Sequence, residues 1–180
     1  MPDLIIKKSK LSGKGVFANR EFKKGETVLY FEGKIFRRSE LPIPYDSVDD
    51  RYMQIGPDTY LGPSGKYDDF VNHSCNPNCG IMNENGKWKL VAIKRIKRGE
   101  EITFDYSTTM DEDEWEMDCN CQAKNCRKRI RDFKYLPPKI QKKYISLGIV
   151  PEFILKNLKR IHSGKKHYKV NKYKTNSSFT

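Results

Sequence analysis

Two segments and a group of cysteines limit how this chain can fold. Asn72-His73-Ser74-Cys75-Asn76-Pro77-Asn78-Cys79 crowds turn-forming and potential ligating residues into a few positions. Gly99-Glu100-Glu101-Ile102-Thr103-Phe104-Asp105-Tyr106 follows about 25 residues later, and Cys119, Cys121 and Cys126 come after it. Around them lie short β-prone runs: Leu4-Ile5-Ile6, Thr27-Val28-Leu29-Tyr30-Phe31, Trp88-Lys89-Leu90-Val91-Ala92-Ile93 and Glu101-Ile102-Thr103-Phe104. Gly, Pro and Asn turns separate these runs. The pattern predicts small sheets rather than a parallel sheet with crossover helices. A quasi-repeat marks two strand starts, Phe22-Lys23-Lys24-Gly25-Glu26-Thr27-Val28 and Ile96-Lys97-Arg98-Gly99-Glu100-Glu101-Ile102. In each, a basic pair and a glycine predict a turn that launches an extended segment.

Gly13-Lys14-Gly15-Val16-Phe17-Ala18 matches the dinucleotide fingerprint, but that fingerprint must open a helix after a strand. Gly25 arrives only seven residues after Ala18 and introduces another strand, so no helix of normal length fits and the reading is rejected. What remains is a tight turn, either structural or one whose bare backbone approaches a ligand. From Arg37 to Tyr67 the pattern loosens around Pro42, Pro44, Pro57 and Pro63, with a short helix expected near Asp46–Arg51. Tyr52 and Tyr60 in this insert are candidates for a substrate groove or for the core. After Pro137 the period turns helical. Ile140, Tyr144, Ile145 and Leu147 form one amphipathic run ended by Gly148, and Phe153, Ile154, Leu155 and Leu158 form a second after Pro151. The Lys-, Asn- and Ser-rich residues from Ser163 onward lack periodicity and are expected to be disordered.

The net charge of +12 is unevenly placed. Residues 134–180 hold 12 Lys or Arg against the single acid Glu152, whereas residues 1–133 hold 23 basic and 22 acidic residues. A tail of this kind either contacts nucleic acid weakly or simply solubilises the chain. The apolar fraction of 37% and charged fraction of 32% suit a polar globular protein of one domain plus an appendage. No apolar run approaches the roughly 18 residues of a bilayer span, so no membrane contact is expected. Met1-Pro2-Asp3-Leu4 opens with an acid and only a brief apolar stretch, which is not the pattern of a signal peptide. The expectation is an intracellular protein of cytoplasm, nucleus or chromosome, not a secreted one. Five cysteines cannot all pair with one another, and clustered cysteines in such a setting point to metal more than to cross-links.

Singly, His73 reads as a packing residue, the asparagines as turn chemistry and Tyr106 as a strand aromatic. Their order is far more specific. Gly13-Lys14-Gly15, Asn72-His73-Ser74-Cys75-Asn76-Pro77-Asn78 and Glu101-Ile102-Thr103-Phe104-Asp105-Tyr106 together resemble the SET domain family of protein lysine methyltransferases. Cys119-x-Cys121-x4-Cys126 resembles the post-SET motif that follows it. The resemblance covers about residues 5–130. One departure stands out: Asp68-Asp69-Phe70-Val71 lacks the basic residue the family often carries there.

The resemblance implies a mainly β fold with short helices, the β-clip of small sheets, in which the two central segments pass each other in a knot-like arrangement. The expected divisions are a SET domain over 1–116 with a variable insert at about 38–67 and a post-SET zinc loop over 117–133, followed, outside the shared domain, by a helical extension over 134–162 and a basic tail over 163–180. S-adenosylmethionine would be held by Lys14, Gly15, Asn72, His73 and Tyr106. A protein lysine would enter from the opposite face through a channel ending at the catalytic Tyr106. Phe104, two residues earlier, would favour di- or trimethylation because a phenol there would hold a water that restricts the amine; it also reads as core. Phe133 is a candidate cap on the cofactor.

One structural zinc would take Cys75, Cys119, Cys121 and Cys126, leaving Cys79 a buried thiol. A reduced cluster without metal, or Cys79 in place of Cys75, are the alternatives. The acidic run Asp111, Glu112, Asp113, Glu114, Glu116 and Asp118 is either a solvated loop or a steering patch for a basic peptide such as a histone tail. The competing function is a non-enzymatic zinc-containing module that binds nucleic acid or protein through the basic tail.

Overall fold

The computed structural model describes residues 1–41, 51–113 and 115–164. The expected helix near Asp46–Arg51 lies outside these residues except for Arg51, which is not helical, and so do Pro42, Pro44, Glu114 and the tail beyond Gly164. Strands β1 (Leu4–Lys8) and β2 (Lys14–Ala18) form an antiparallel hairpin across the glycine turn. β3 (Thr27–Tyr30) follows, then β4 (Ile35–Arg37), β5 (Met53–Gly56) and β6 (Thr59–Leu61). Next come β7 (Asn72–His73), β8 (Cys79–Glu84), β9 (Lys87–Ala92) and β10 (Thr103–Phe104), and finally β11 (Met117–Asp118) and β12 (Arg129–Ile130). Helices α1 (Pro138–Ser146) and α2 (Glu152–His162) end the described chain.

Among the described residues these strands make small sheets of two or three: β1-β2, β3-β9-β8, β4-β6-β5, β7-β10 and β11-β12. The fold is mainly β with two short helices, as the punctuated strand pattern predicts. The loosened insert holds more order than its prolines suggest, because its β5 and β6 form a hairpin that β4, just before the insert, extends to a three-stranded antiparallel sheet. Each strand is only three or four residues long, so no alternation accumulates in the sequence to announce it.

The quasi-repeat has a structural meaning. Phe22 and Ile96 exchange two backbone hydrogen bonds of 2.9 Å, so the two copies face each other antiparallel, and both side chains are fully buried. Each copy then turns on its glycine, Gly25 at φ 92° and Gly99 at φ 89°. The second copy sends residues 99–102 along β2, with the Ile102 N–H donating to Val16 O at 2.8 Å and Gly99 N–H to Ala18 O at 2.7 Å. β10 continues from it as the parallel partner of β7.

The body core gathers Val16, Phe22, Ile81, Leu90, Ile96 and Ile102. A second core lies under the helices, where Phe133, Tyr144, Ile149 and Ile154 are at most 1% exposed. Burying Ile149 and Ile154 contributes about 1.5–3 kcal/mol each. The helices dock closely on β8 because Gly80 has no side chain: a Cβ there would lie 2.5 Å from Ile149 Cγ2. Phe133 belongs to this second core, not to an exposed cap; the apolar face of the helices requires a partner and Phe133 supplies it.

A polar seam also joins α2 to the body. The Asp111 N–H donates to Gln54 Oε1, and Asp111 Oδ2 accepts from Asn157 Nδ2, both at 2.8 Å. Burial, opposed by the Asn157 hydrogen bond, lifts the Asp111 carboxyl to about 7. An acid held above its unfolded pKa stabilises the fold at low pH and loses that contribution as pH rises through the folded value. Asp111→Asn should therefore raise the unfolding temperature at pH 8, with a gain that shrinks toward pH 4. Thermal melts across that window check it, and equal gains at both ends would be the contrary result.

Candidate functional site

The short pair β7–β10 is the centre of the site. Thr103 pairs with Asn72 and Phe104 with His73, so the two sequence segments lie side by side. The Asn78 side chain stitches them further, donating to Glu101 O at 2.7 Å and accepting from the Thr103 N–H at 2.9 Å. Immediately past β10, Tyr106 opens a 3-10 turn (Tyr106–Thr109) that Asp105 caps through the Ser107 N–H.

On one side of this pair lies a cavity of about 110 Å³. Phe31, Tyr52, Phe104, Tyr106 and Trp115 supply aromatic walls, and Glu32, Asp68 and Asp69 supply carboxylates. Tyr106 sits against Phe104 at 4.8 Å between ring centroids and against Trp115 at 6.2 Å, and its hydroxyl donates to Val71 O at 2.8 Å. Phe104 is 6% exposed and meets Phe31 edge-on, so it is at once core and cavity wall. Of the two insert tyrosines, Tyr52 lines the cavity, whereas Tyr60 is fully buried and donates to Glu112. Trp115 carried no periodic signal and was not foreseen.

The glycine turn approaches β7 and residue 101 from another direction. The Asn72 side-chain amide donates to Ser12 O at 3.2 Å, Lys14 O at 3.1 Å and Glu101 Oε1 at 2.8 Å. Ser9 Oγ donates to the same Glu101 carboxylate at 2.7 Å. A Cβ on Gly15 would lie 2.2 Å from Glu101 Oε1 and 3.0 Å from Asn72 Nδ2, so only glycine lets these groups converge. Lys14 offers its carbonyl here while its ammonium lies 5.8 Å over the Phe70 ring. Ser9 and Glu101 are members of this cluster that residue types alone did not single out.

His73 joins these groups to the cysteines. Its ring is buried and 5.3 Å from that of Tyr106. Burial, only partly offset by nearby Asp105, lowers its pKa to about 4, so it is neutral. Nδ1 accepts the Tyr106 N–H at 3.2 Å, which assigns the ring proton to Nε2, 3.4 Å from Cys75 Sγ.

The ligating atoms of His73, Cys75, Cys119 and Cys121 all lie within 4.8 Å of one another, and Cys126 Sγ is 3.7 Å from Cys119 Sγ. Five donors thus compete for four positions. Tetrahedral zinc with Zn–S of about 2.3 Å needs sulfurs about 3.8 Å apart. Cys75 to Cys119 at 3.9 Å and Cys119 to Cys126 at 3.7 Å fit that edge length. A protonated Nε2 cannot ligate, and it serves better as a donor to the Cys75 sulfur. Cys75 Sγ also accepts the Arg127 N–H at 3.3 Å, a hydrogen bond of the kind that supports a ligating sulfur and that opposes the upward push of burial on this thiol. The four thiols therefore fit zinc, and Cys79, fully buried in the body core, stands apart.

Among its described residues, four acids of the acidic run pair with cations, and three of those, Asp113, Glu116 and Asp118, stay exposed. Glu112 is buried with Arg38 at 3.0 Å, Asp113 meets Lys134 Nζ at 2.6 Å, Asp118 meets Arg129 at 3.2 Å, and Glu116 also pairs with Arg129. Cations distant in sequence fold back onto it. The carboxylates at the cavity are instead Glu32, Asp68 and Asp69.

The SET domain family model matches residues 13–107, which include the glycine turn, both central segments and Tyr106. The chain belongs to the SET domain family. It is 30% identical over 138 residues to human (Homo sapiens) histone-lysine N-methyltransferase 2B, covering 68% of this chain and 5% of that protein. Over 144 residues it is 33% identical to the variant-silencing SET domain-containing protein of Plasmodium falciparum (isolate 3D7), covering 69% of this chain and 5% of that protein. The chain thus spans 5% of the length of each of these relatives. A crystal structure of KRYPTONITE in complex with mCHH DNA, an H3(1-15) peptide and SAH superposes with a TM-score of 0.57 at 23% identity, over 71% of this chain and 29% of that one. The likeness to it is one of fold. No helix among the described residues is long and apolar enough to cross a membrane.

Proposed function

We propose that this chain transfers methyl groups from S-adenosylmethionine to the ε-amine of a lysine in a basic protein, such as a histone. The observation that carries the reading is the position of Tyr106. Its phenol closes an aromatic-walled cavity, and the strand it follows is paired to Asn72 and His73. The relatives named as histone-lysine methyltransferases support it.

S-adenosylmethionine supplies the electrophilic methyl group when bound. The carbonyls of Ser12 and Lys14 and the carboxylate of Glu101 form an acceptor cluster suited to an ammonium group such as its amino-acid end. Lys14, Gly15, Asn72, His73 and Tyr106 are the residues assigned to hold it. On the cavity side, a lysine with an ordinary pKa of about 10.4 must lose its proton before it reacts. The apolar rings of Phe31, Phe104 and Trp115 disfavour the ammonium form, and the Tyr106 hydroxyl, fixed by Val71 O, orients the amine. Cys75, Cys119, Cys121 and Cys126 would hold one zinc, which would tie the loop after Tyr106 to the segment that carries His73. The exposed lysines 139, 142, 143 and 159 on the two helices suit an additional, weak contact with nucleic acid, and the setting is intracellular, with chromatin favoured.

Phe104 leaves space for an already methylated amine, so dimethyl- or trimethyllysine is the expected product. Incubation with labelled S-adenosylmethionine and mixed basic proteins, followed by mass spectrometry of lysines, tests the reading; no labelled lysine in any of them would reject it. In the same assay Phe104→Tyr should shift the product toward monomethyllysine.

A further inference from the structure

Beyond the matched residues, the chain reaches back to the site at a buried point. Tyr144 on α1 is 1% exposed, and its hydroxyl donates to Asp105 Oδ2 at 3.0 Å. The same carboxylate accepts Arg127 Nη1 and Nη2, each at 2.7 Å, and the Ser107 N–H at 3.2 Å. Four donors meet a side chain that is 0% exposed and has about four lone-pair sites, so its capacity is filled. Three of those donors come from residues after position 107, where the family match ends.

Asp105 immediately precedes Tyr106 and caps the turn that carries it. The Tyr106 N–H is held on its other side by His73 Nδ1. The direction in which the phenol leaves the backbone therefore depends on two buried anchors, and one of them is held from α1. Burial and the neighbouring Asp105 charge push the Tyr144 phenol up, so it stays a donor at neutral pH.

We infer that Tyr144 is a positioning residue for methyl transfer, acting through Asp105 on the placement of the Tyr106 hydroxyl. The helical extension is then a working part of the site and not a neighbour packed against it. This rests on the reading of Tyr106 given above. Without the Tyr144 hydroxyl, Asp105 Oδ2 keeps one donor, and a buried carboxylate left short of donors turns to recover one. The capped turn moves with it, and a shift of a fraction of an ångström at the phenol is enough to slow an in-line transfer.

The test compares Tyr144→Phe with Ile154→Val in the full chain. Ile154 is 1% exposed in the same helical core but lies on the other helix. Both variants should melt a few degrees lower. Only Tyr144→Phe should lose about tenfold in kcat, with the peptide KM within about twofold and a larger share of less-methylated product. A kcat loss no greater than that of Ile154→Val overturns the inference. Ring-labelled tyrosine NMR reads the same placement without turnover. The Tyr106 signal, identified by its absence in Tyr106→Phe, should shift in Tyr144→Phe and stay in Ile154→Val. An unmoved signal also overturns the inference, whereas a wild-type protein without methyl transfer overturns the functional reading and leaves the NMR result to decide on Tyr144.

Discussion

Tyr106→Phe should lower methyl transfer at least about a hundredfold and leave the unfolding temperature within a few degrees of wild type. The ring keeps its contacts with Phe104, Trp115 and His73, so the fold loses little more than the hydrogen bond to Val71 O. Such a bond between neutral groups is worth about 1 kcal/mol. A preorganised polar group at the reacting centre commonly accounts for about 10²–10³ in rate; here the phenol proton is turned to Val71 O, so the oxygen faces the amine as a fixed acceptor that needs no reorganisation. Single-turnover rates with circular dichroism melts separate the two effects. An unchanged rate would remove Tyr106 from the chemistry.

Cys121→Ser should lose the metal and much of the stability. The wild-type chain is expected to carry about one zinc, measured by atomic emission, and the variant to carry almost none. Cys75, Cys119, Cys121 and Ile130 form a small buried cluster of their own, and without a metal it would keep only the partly buried packing of Tyr106, Trp115, Met117 and Ala123. Structural zinc contributes on the order of 10 kcal/mol in isolated finger peptides. Even half of that would lower the melting temperature by about 10–20 °C in a chain of this size. Activity should fall as well, since Cys75 follows His73 by two residues and its sulfur faces the His73 ring. Zinc-free protein that melts at the wild-type temperature would argue for a reduced cysteine cluster.

What could be read before folding was the part encoded locally. Short β-prone runs broken by turns announced small sheets, the spacing after Pro137 announced α1 and α2, and the ordered segments around His73 and Tyr106 identified the family. The insert was opaque because strands of three or four residues give no period to detect. Two features were opaque for a shared reason. The ion pairs of the acidic run were not legible because its cations, Arg38, Arg129 and Lys134, lie elsewhere in the chain, although Asp113, Glu116 and Asp118 are exposed as a solvated loop requires. Phe133 looked like a cofactor cap because the helical core that absorbs it had no local sign.

The sequence by itself determined which residues are present in which order: the glycine turn, the two central segments, the three late cysteines and the paired amphipathic helices. Only the tertiary structure decided how they meet. It placed Glu101 and Ser9 with Asn72, turned the His73 Nε2 proton toward Cys75, and set Tyr144 on Asp105 across 39 positions. The physical reason is that secondary structure follows from torsions and periodicity within a few residues. Hydrogen bonds in a buried site instead depend on which distant groups the core brings within about 3 Å.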